Sequence, residues 1–440
     1  MEVYTVTTFD WLISLALILV SLPLLFAWVQ NFSLREKKWV GLAFIANIFA
    51  TIAIVWVHTD FYGYGDMLSF HRVGEYLADM LRQQFATAAP DLLNILVHRE
   101  PSASIRIHGI GTSTGTMYAL AGFLNYFLYD SLYGICFVAS LTAFFGLLAM
   151  YSGLRTGLSE TLKVRVLFAC LLIPSVVFWS SGLIKESIAI AGLGFATQAL
   201  YQTFYHRHFL RGGLLLALGA ALMAMSKGFL LMPFAAGASL WMVIYFARRS
   251  GRNLSAFSNP AYAILGLILA LLSVFVIGEL FPRYSIANLA AEVAHLQEVG
   301  ARTEGESNFA FIDAPDEMTL MHQLVYAPMA IITALFRPFI FEAHNPFALM
   351  AALEVMAAMI FFGLAIYKQG FRKAWNRVLN SPTLIYCLAV VFILSFGVGL
   401  TTTNMGTLSR YRIPMMPMYL TLVLLLLPVD SSTPSKPPRS

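Results

Sequence analysis

The sequence predicts an all-α polytopic membrane protein. Of its 440 residues, 59% are hydrophobic and only 12% are charged, whereas soluble proteins average about half and about a quarter. Apolar runs long enough to cross about 30 Å of hydrocarbon recur along the chain and give about eleven transmembrane helices. Basic residues cluster in alternate loops between these runs, as they do where charge fixes the orientation of a membrane protein.

The spans follow from the apolar runs in chain order. The first run lacks a basic flank and a small-residue cleavage site, so we expect it to remain as a span. Two short runs, 166–180 and 212–226, are expected to cross as partners of longer ones. The longer runs lie near 11–29, 39–57, 132–152, 185–203, 228–247, 260–280, 346–367, 383–400 and 413–428.

Placing the basic loops in the cytoplasm puts the N-terminus outside and the C-terminus inside. On this map two large loops, about 58–131 and 281–345, face outward. The apolar segments 117–129 and 324–340 inside them are expected to be interfacial helices, because a single crossing there would invert the later loops. The sequence thus predicts one transmembrane domain over 1–429 and a disordered cytoplasmic tail over 430–440.

Composition also limits the other classes of ligand. The net charge of +5 does not indicate a nucleic-acid partner, because basic residues that flank spans are ordinary determinants of topology. Cys136, Cys170 and Cys387 lie within apolar runs without disulfide or zinc spacing, so we interpret them as small buried hydrophobes. The lipid bilayer is the one partner that composition predicts directly.

The first outer loop opens with two carboxylates, Asp60 and Asp66. Asp66 follows Gly63 and Gly65 and precedes a helical pattern of apolar residues. Its carboxylate could act as a general base or could cap that helix. A ridge of His71, Glu75 and Asp79 at i,i+4 spacing on the same helix is a weak metal-site signal beside a solvated face.

Cations recur where later segments reach the outer face. A break at Ser180-Ser181-Gly182 precedes Lys185 and Glu186, where hydroxyls, helix N–H groups and the ammonium could hold a phosphate, or Lys185 could snorkel to the headgroups. Lys227, in a tight outer turn, is interpreted as a snorkelling residue. Arg410 and Arg412 flank a tyrosine at the entrance of the last span and favour a lipid phosphate.

A third cluster, Phe336-Arg337-Pro-Phe-Ile-Phe-Glu342-Ala-His344-Asn345, precedes a span that contains Glu354. Arg337 could clamp an anionic headgroup, while Glu342 or His344 could bind a divalent metal ion or orient a sugar. The alternative is a Phe-rich interfacial anchor. Glu354 within the span requires a buried partner or protonation.

These segments together resemble the GT-C superfamily of integral-membrane glycosyltransferases, in particular bacterial relatives of the protein O-mannosyltransferase type. The shared pattern comprises Gly65-Asp66 early in a long outer loop, Pro174-Ser-x-x-Phe-Trp-Ser-Ser-Gly-x-x-Lys-Glu186, Arg337-Pro-Phe and Arg410-Tyr-Arg-x-Pro. The resemblance implies transfer of a sugar from a polyprenyl-phosphate-linked donor to a glycan, lipid or protein acceptor at the outer face of the bacterial inner membrane. It also implies that Asp66 is the catalytic base, with Asp60 as the second candidate. No Asp-Glu or Glu-Asp pair follows the second span, so acceptor class and metal dependence stay open.

Two other classes fit parts of the pattern. A Wzy-like polysaccharide polymerase would work on polyprenyl-linked glycans with arginines and without a catalytic aspartate. A lipid-linked glycan transporter or flippase would use broken helices that meet at the midplane of the bilayer. The concentration of unusual charges at one face favours the glycosyltransferase.

Overall fold

The protein is helical throughout the part of the chain that the structure describes. A computed structural model describes residues 4–102, 105–249, 260–281, 320–402 and 404–429, together with Val293. These residues form helices joined by turns, and no β-strand occurs among them. The predicted all-α class is therefore confirmed, while the tail at 430–440 and most of the predicted loop at 281–345 lie outside the described residues.

The first part of the chain contains two long apolar helices, three helices within the first loop and four helices after it. Capping boxes begin both long helices, since Thr7 and Ser33 each exchange hydrogen bonds with an acidic residue three positions later. A π-helical segment, Val57–Tyr62, extends the second. The helices are Thr8–Val29 (α1), Leu34–Trp56 (α2), Asp66–Gln83 (α3), Phe85–Leu96 (α4), Ser113–Leu128 (α5), Leu132–Leu154 (α6), Glu160–Leu171 (α7), Pro174–Trp179 (α8) and Lys185–Phe204 (α9).

The second part alternates long helices with short ones at the bundle ends. Proline stands in the first turn of several of these helices, where its missing N–H costs nothing. The helices are Phe209–Lys227 (α10), Leu231–Arg249 (α11), Pro260–Leu280 (α12), Leu320–Phe336 (α13), Pro346–Gln369 (α14), Phe371–Asn380 (α15), Pro382–Thr401 (α16), Met405–Tyr411 (α17) and Met416–Leu426 (α18).

The chain is a multi-pass integral membrane protein of the lipid bilayer. Seven helical segments of the described residues are long and apolar enough to cross it. Three predicted runs are not among these seven segments. The run at 166–180 falls on α7 and α8, the run at 185–203 falls on α9, and the run at 413–428 falls on α18. The seven are Thr8–Val29, Leu34–Tyr62, Leu132–Leu154, Phe209–Arg249, Ala261–Leu280, Pro346–Gln369 and Pro382–Thr401.

The segment Phe209–Arg249 consists of two helices that reverse direction. The Lys227 ammonium at the end of α10 lies 2.9 Å from Glu186 Oε1 in the first turn of α9. The Tyr245 hydroxyl near the end of α11 donates to the carbonyl of Phe204, the last residue of α9, at 2.7 Å. The chain therefore turns at Gly228–Leu230, and α10 runs antiparallel to both α9 and α11.

Helix α9 forms the centre of the bundle and is buried along most of its length. Glycines bring its neighbours close, because a Cβ on Gly194 would lie only 1.9 Å from the Gly146 carbonyl oxygen of α6. A Cβ on Gly192 would similarly lie 2.7 Å from the Gly219 carbonyl oxygen of α10. Small residues permit such close approach of membrane helices. This packing fixes the first turn of α9 in the middle of one end of the bundle.

Arginines from separate loops meet at the opposite end, which we call the arginine end. Arg155 pairs with the buried Glu36 at 3.1 Å, and the Tyr151 hydroxyl donates to the same carboxylate. Other arginines there bond to backbone carbonyls at helix ends, which lack partners within their own helix. These bonds run from Arg165 to Leu427 at 2.6 Å, from Arg377 to Leu425 at 2.8 Å and from Arg248 to Asn380 at 3.3 Å.

The first loop folds into a compact layer of α3, α4 and α5 at the other end. Gly74 of α3 crosses α5 so closely that a Cβ there would lie 2.7 Å from the Cβ of Ala121. The predicted helix after Asp66 is α3, which buries Phe70 and Leu77 of its predicted apolar side. The apolar segment predicted at 117–129 coincides with α5. The three cysteines are buried and form no disulfide.

Candidate functional site

Asp66 is the first residue of α3, and two glycines set its position. Gly63 has φ 69° and Gly65 has φ 135°, a region that side chains rarely adopt. Gly65 occupies the N-cap position, so the interpretation of Asp66 as the helix cap is wrong. The Asp66 side chain is 54% exposed, and its carboxylate accepts a hydrogen bond from Arg410 at 2.8 Å. The carboxylate is thus directed toward the bundle, at the start of a helix that favours negative charge.

Four charged side chains, Asp66, Glu186, Lys227 and Arg410, form what we call the ionic cluster. Glu186 is fully buried and lies 3.0 Å from Arg410 Nε and 2.9 Å from Lys227 Nζ. Arg410 Nη2 donates to Asp66 at 2.8 Å and to Glu186 at 3.1 Å, so Arg410 bridges the two carboxylates. Burial opposes the charge of Arg410, but the two carboxylates outweigh it and raise the pKa of Arg410 above its usual value. The arginine is therefore a permanent cation with one exposed and one buried carboxylate.

Lys227 belongs to this cluster, so its interpretation as a snorkelling residue is wrong. Its side chain is only 7% exposed. Besides Glu186, its ammonium faces the ring of Tyr411 at 4.3 Å from the centroid. Lys227 stands in a turn between two apolar helices, at the end of the bundle where α9 begins. This position was the sequence signal for a partner on α9.

Lys185 lies beside the ionic cluster and connects α9 to the first loop. Its ammonium donates to the Thr114 hydroxyl in the first turn of α5 at 2.8 Å. Among the described residues it forms no ion pair. The structure therefore brings three of the predicted residues, Asp66, Glu186 and Arg410, into contact and holds Lys185 next to them.

An aromatic cavity of about 300 Å³ opens beside Arg410. Rings of Tyr62, Trp179 and Phe347 form one side, with Phe347 centred 5.9 Å from Trp179 and 6.3 Å from Tyr62. Asn345 and Asn404 contribute amide groups to the lining. Flat apolar rings together with amides and a guanidinium can hold a ligand that has both an apolar face and many hydroxyls.

His58 lies behind this cavity and was missed by the sequence analysis. The π-helical turn that extends α2 carries it, and such turns are frequent at functional sites. Its Nδ1 bonds to the Ile54 carbonyl at 2.9 Å and must be the donor. The other edge of the ring lies against Gly65, since a Cβ there would be 3.0 Å from His58 Cδ2. His58 therefore supports the turn that precedes Asp66.

Arg337 and Glu342 form an ion pair within their own segment. Arg337 Nη2 and Nε lie 2.5 Å and 3.0 Å from Glu342 Oε1, and the Phe339 N–H donates to the same carboxylate at 2.8 Å. Burial opposes ionisation, but these bonds outweigh it and lower the pKa of Glu342. His344 is exposed nearby. No described contact joins this pair to the ionic cluster.

Arg412 and Glu354 are tied to the protein itself. Arg412 is fully buried, and its guanidinium donates to the carbonyls of Arg337 at 2.6 Å and Ala351 at 3.2 Å. These partners connect the last helical segment to Arg337, just after α13, and to α14. The carboxylate of Glu354 accepts the N–H of Ser175 at 2.7 Å and also its hydroxyl. The structure thus supplies the buried partner that Glu354 requires.

The other acidic residues that the sequence singles out in the first loop have local partners. Asp60 is exposed and accepts a hydrogen bond from the neighbouring Thr59 hydroxyl at 2.5 Å. His71 lies 3.2 Å from Glu75, whereas Asp79 pairs with Arg82 at 2.7 Å. Within the described ranges no group of three or more histidines, cysteines or acids is arranged to hold a metal ion.

Comparison of the chain with protein-family models, with curated proteins and with solved structures finds no match. Functional interpretation therefore depends on the ionic cluster, the aromatic cavity and Lys185.

Proposed function

We propose that the protein is a GT-C-type glycosyltransferase. It transfers a sugar from a polyprenyl-phosphate-linked donor to an acceptor hydroxyl, in the synthesis of a cell-envelope glycan. The observation that carries the proposal is the exposed carboxylate of Asp66 on the partly buried cation Arg410, which itself lines a cavity with aromatic and amide groups. A carboxylate can accept a proton there, and a guanidinium can receive a phosphate.

The reaction requires two charge movements that this site can support. Asp66 takes the proton of the acceptor hydroxyl as its oxygen bonds to the anomeric carbon of the sugar. The bond from that carbon to the phosphate oxygen breaks, and the oxygen keeps the electron pair. Arg410 and Lys185 stabilise the negative charge that develops on the departing lipid phosphate.

The ion pair between Asp66 and Arg410 gives these events an order. Arg410 donates to Asp66 Oδ2 and so occupies an oxygen that could take the proton of the acceptor. A donor phosphate that binds Arg410 competes with Asp66 for the same nitrogen and releases the carboxylate. Glu186 stays on the other side of the guanidinium and keeps it in place. The base thus becomes active when the leaving group is bound.

We place the site at the outer face of a bacterial inner membrane. The arginine end then faces the cytoplasm, as the excess of basic residues in those loops requires. This orientation gives eleven crossings, with the N-terminus outside and the C-terminus inside. The reversal between α10 and α11 contributes two of these crossings, and α9 contributes one.

A Wzy-like polymerase is the second candidate, because the central group of the ionic cluster is an arginine. Such an enzyme would use Arg410 and Lys185 on the lipid phosphate and would not require the carboxylate of Asp66. The two candidates therefore differ in what Asp66 does.

The test is sugar transfer by the purified protein in lipid nanodiscs, supplied with polyprenyl-phosphate-linked sugars and cell-envelope glycan acceptors. Asp66→Asn should lower kcat by about 10²–10⁴, with thermal unfolding checked in parallel. Asp79→Asn, on the same helix with an exposed partner, is the matched control and should transfer normally. Full transfer by Asp66→Asn would exclude Asp66 as the catalytic base and would favour the Wzy-like polymerase.

A further inference from the structure

Helix α15 joins α14 to α16 at the arginine end. Gly370 has φ 80° and turns the chain between α14 and α15. Ala374 and Val378 are buried in the bundle, and Arg377 donates to the carbonyl of Leu425, near the end of α18, at 2.8 Å. Because α14 and α16 are both long and apolar enough to cross the bilayer, α15 lies where the bundle meets the surface of the bilayer.

One exposed side of α15 is aromatic. Phe371 and Trp375 are about one turn apart, and their rings stack with centroids 6.3 Å apart and an interplanar angle of 8°. These residues are 66% and 45% exposed, although the helix buries smaller residues next to them. Two such rings are costly in water, whereas aromatic rings of interfacial helices lie at the boundary between headgroups and acyl chains. This side of α15 therefore fits the bilayer better than water.

The other exposed side of α15 is cationic and lacks acidic partners. Arg372 and Lys373 are exposed and lie opposite the buried residues of the helix. Within the part of the chain that the structure describes, neither forms an ion pair. The sequence from 355 to 429, which includes α16 and α18, contains no aspartate or glutamate. Glu36 and Glu160, at the same end of the bundle, already pair with other cations. The helix thus presents two cations without a counter-charge.

We propose that α15 lies in the headgroup layer at the arginine end and binds anionic phospholipids. Its two rings reach the acyl boundary, and Arg372 and Lys373 bind the lipid phosphates. Basic residues alone would only set the topology, but exposed rings on the same short helix indicate that it lies in the membrane surface. The inference goes beyond the proposed function, because it involves neither the ionic cluster nor the aromatic cavity.

Trp375 can report where α15 lies. The protein is reconstituted in lipid nanodiscs whose acyl chains carry bromine either near the headgroup or near the chain end, and bromine quenches nearby tryptophan fluorescence. The difference in emission between the unmodified protein and Trp375→Phe isolates Trp375, which should be quenched more by bromine near the headgroup. Trp241 is fully buried, so the matched difference for Trp241→Phe should show little quenching. Unquenched emission from Trp375 would overturn the proposal.

Native mass spectrometry of the detergent-purified protein with phosphatidylglycerol or phosphatidylcholine tests the role of charge. Each cation near an anionic surface contributes about fivefold to affinity, so Arg372→Gln with Lys373→Gln should weaken binding of phosphatidylglycerol by about 25-fold. Binding of the zwitterionic phosphatidylcholine should not change.

Arg207→Gln with Arg211→Gln is the matched control, because it removes the same charge from exposed positions where α9 leads into α10. This variant should bind phosphatidylglycerol like the unmodified protein. An equal loss in both double variants would reduce the binding to general electrostatic attraction and would remove the site from α15. Dimers that disappear in Trp375→Ser would contradict the proposal and assign the aromatic side to a second copy of the chain.

Discussion

Asp66 and Arg410 form an ion pair of 2.8 Å although 344 residues separate them in the sequence. Asp66 begins the first helix of the first loop, and Arg410 lies in the last turn of the short helix α17, just before the last helical segment. Glu186 holds Arg410 from the opposite side. Arg410 and its two carboxylates therefore connect three distant parts of the chain at one point on the bundle end.

Replacing Arg410 by Gln should destabilise the protein and abolish transfer. Glu186 is fully buried and would keep only Lys227 as a partner, and loss of one member of a buried pair costs about 3–5 kcal/mol. Arg410→Lys keeps the charge but loses the planar fork, so it should recover stability better than activity. Unfolding in detergent and a transfer assay measure the two effects. Equal stability of Arg410→Gln and the unmodified protein would show that the buried charge of Glu186 does not depend on Arg410.

Glu186 and Lys227 should show strong coupling in a double-mutant cycle. Each single change, Glu186→Gln or Lys227→Met, leaves an incompletely paired charge in the bundle and should be destabilising. The double variant removes both charges, so its loss should be smaller than the sum by about 1–3 kcal/mol. Free energies of unfolding of the four proteins give the coupling. Strict additivity would show that the 2.9 Å pair does not form in the membrane.

Trp179 should contribute to binding of the sugar more than to the chemical step. Its ring lines the aromatic cavity beside Phe347, and an aromatic contact contributes about 0.5–1.5 kcal/mol beyond burial. Trp179→Ala should therefore raise KM for the donor by about tenfold with a smaller change in kcat. Phe341→Ala, at a ring that is 80% exposed, is the control and should change neither. An equal effect of the two variants would show that the aromatic cavity does not bind the sugar of the donor.

Stability should depend on Glu342 at neutral pH and lose that dependence in acid. Hydrogen bonds from Arg337 and Phe339 outweigh burial and lower the pKa of this carboxyl in the folded protein. A lowered folded-state pKa stabilises the protein above the unfolded value of about 4.3, and the contribution is lost as the pH falls through the folded-state pKa. Glu342→Gln should cost about 1 kcal/mol at pH 7.

Thermal unfolding of Glu342→Gln and the unmodified protein from pH 7 to pH 3 measures this dependence. The difference in melting temperature should shrink as the pH is lowered. A difference that stays constant over the whole range would show that the carboxylate charge does not contribute.

The sequence located the main elements of the site but assigned some contacts incorrectly. Gly63 and Gly65 precede Asp66 in the sequence, and the structure gives both glycines a positive φ. Lys227 was interpreted as a snorkelling residue because it stands in a tight outer turn, yet its partner Glu186 lies 41 residues earlier. Arg412 is two residues from Arg410 but turns inward to backbone carbonyls. Neighbours in sequence at the end of a short helix thus point to different partners.

The sequence by itself determined that this is an all-helical, multi-pass membrane protein, because hydropathy is a local property that each apolar run carries alone. It also determined which segments bring charge to one end of the bundle. Only the tertiary structure decided which charges meet, since glycine contacts along α9 set the approach of α6 and α10 and thereby the position of Glu186. Ion pairs between distant segments follow from that packing, and the local pattern around each residue does not contain it.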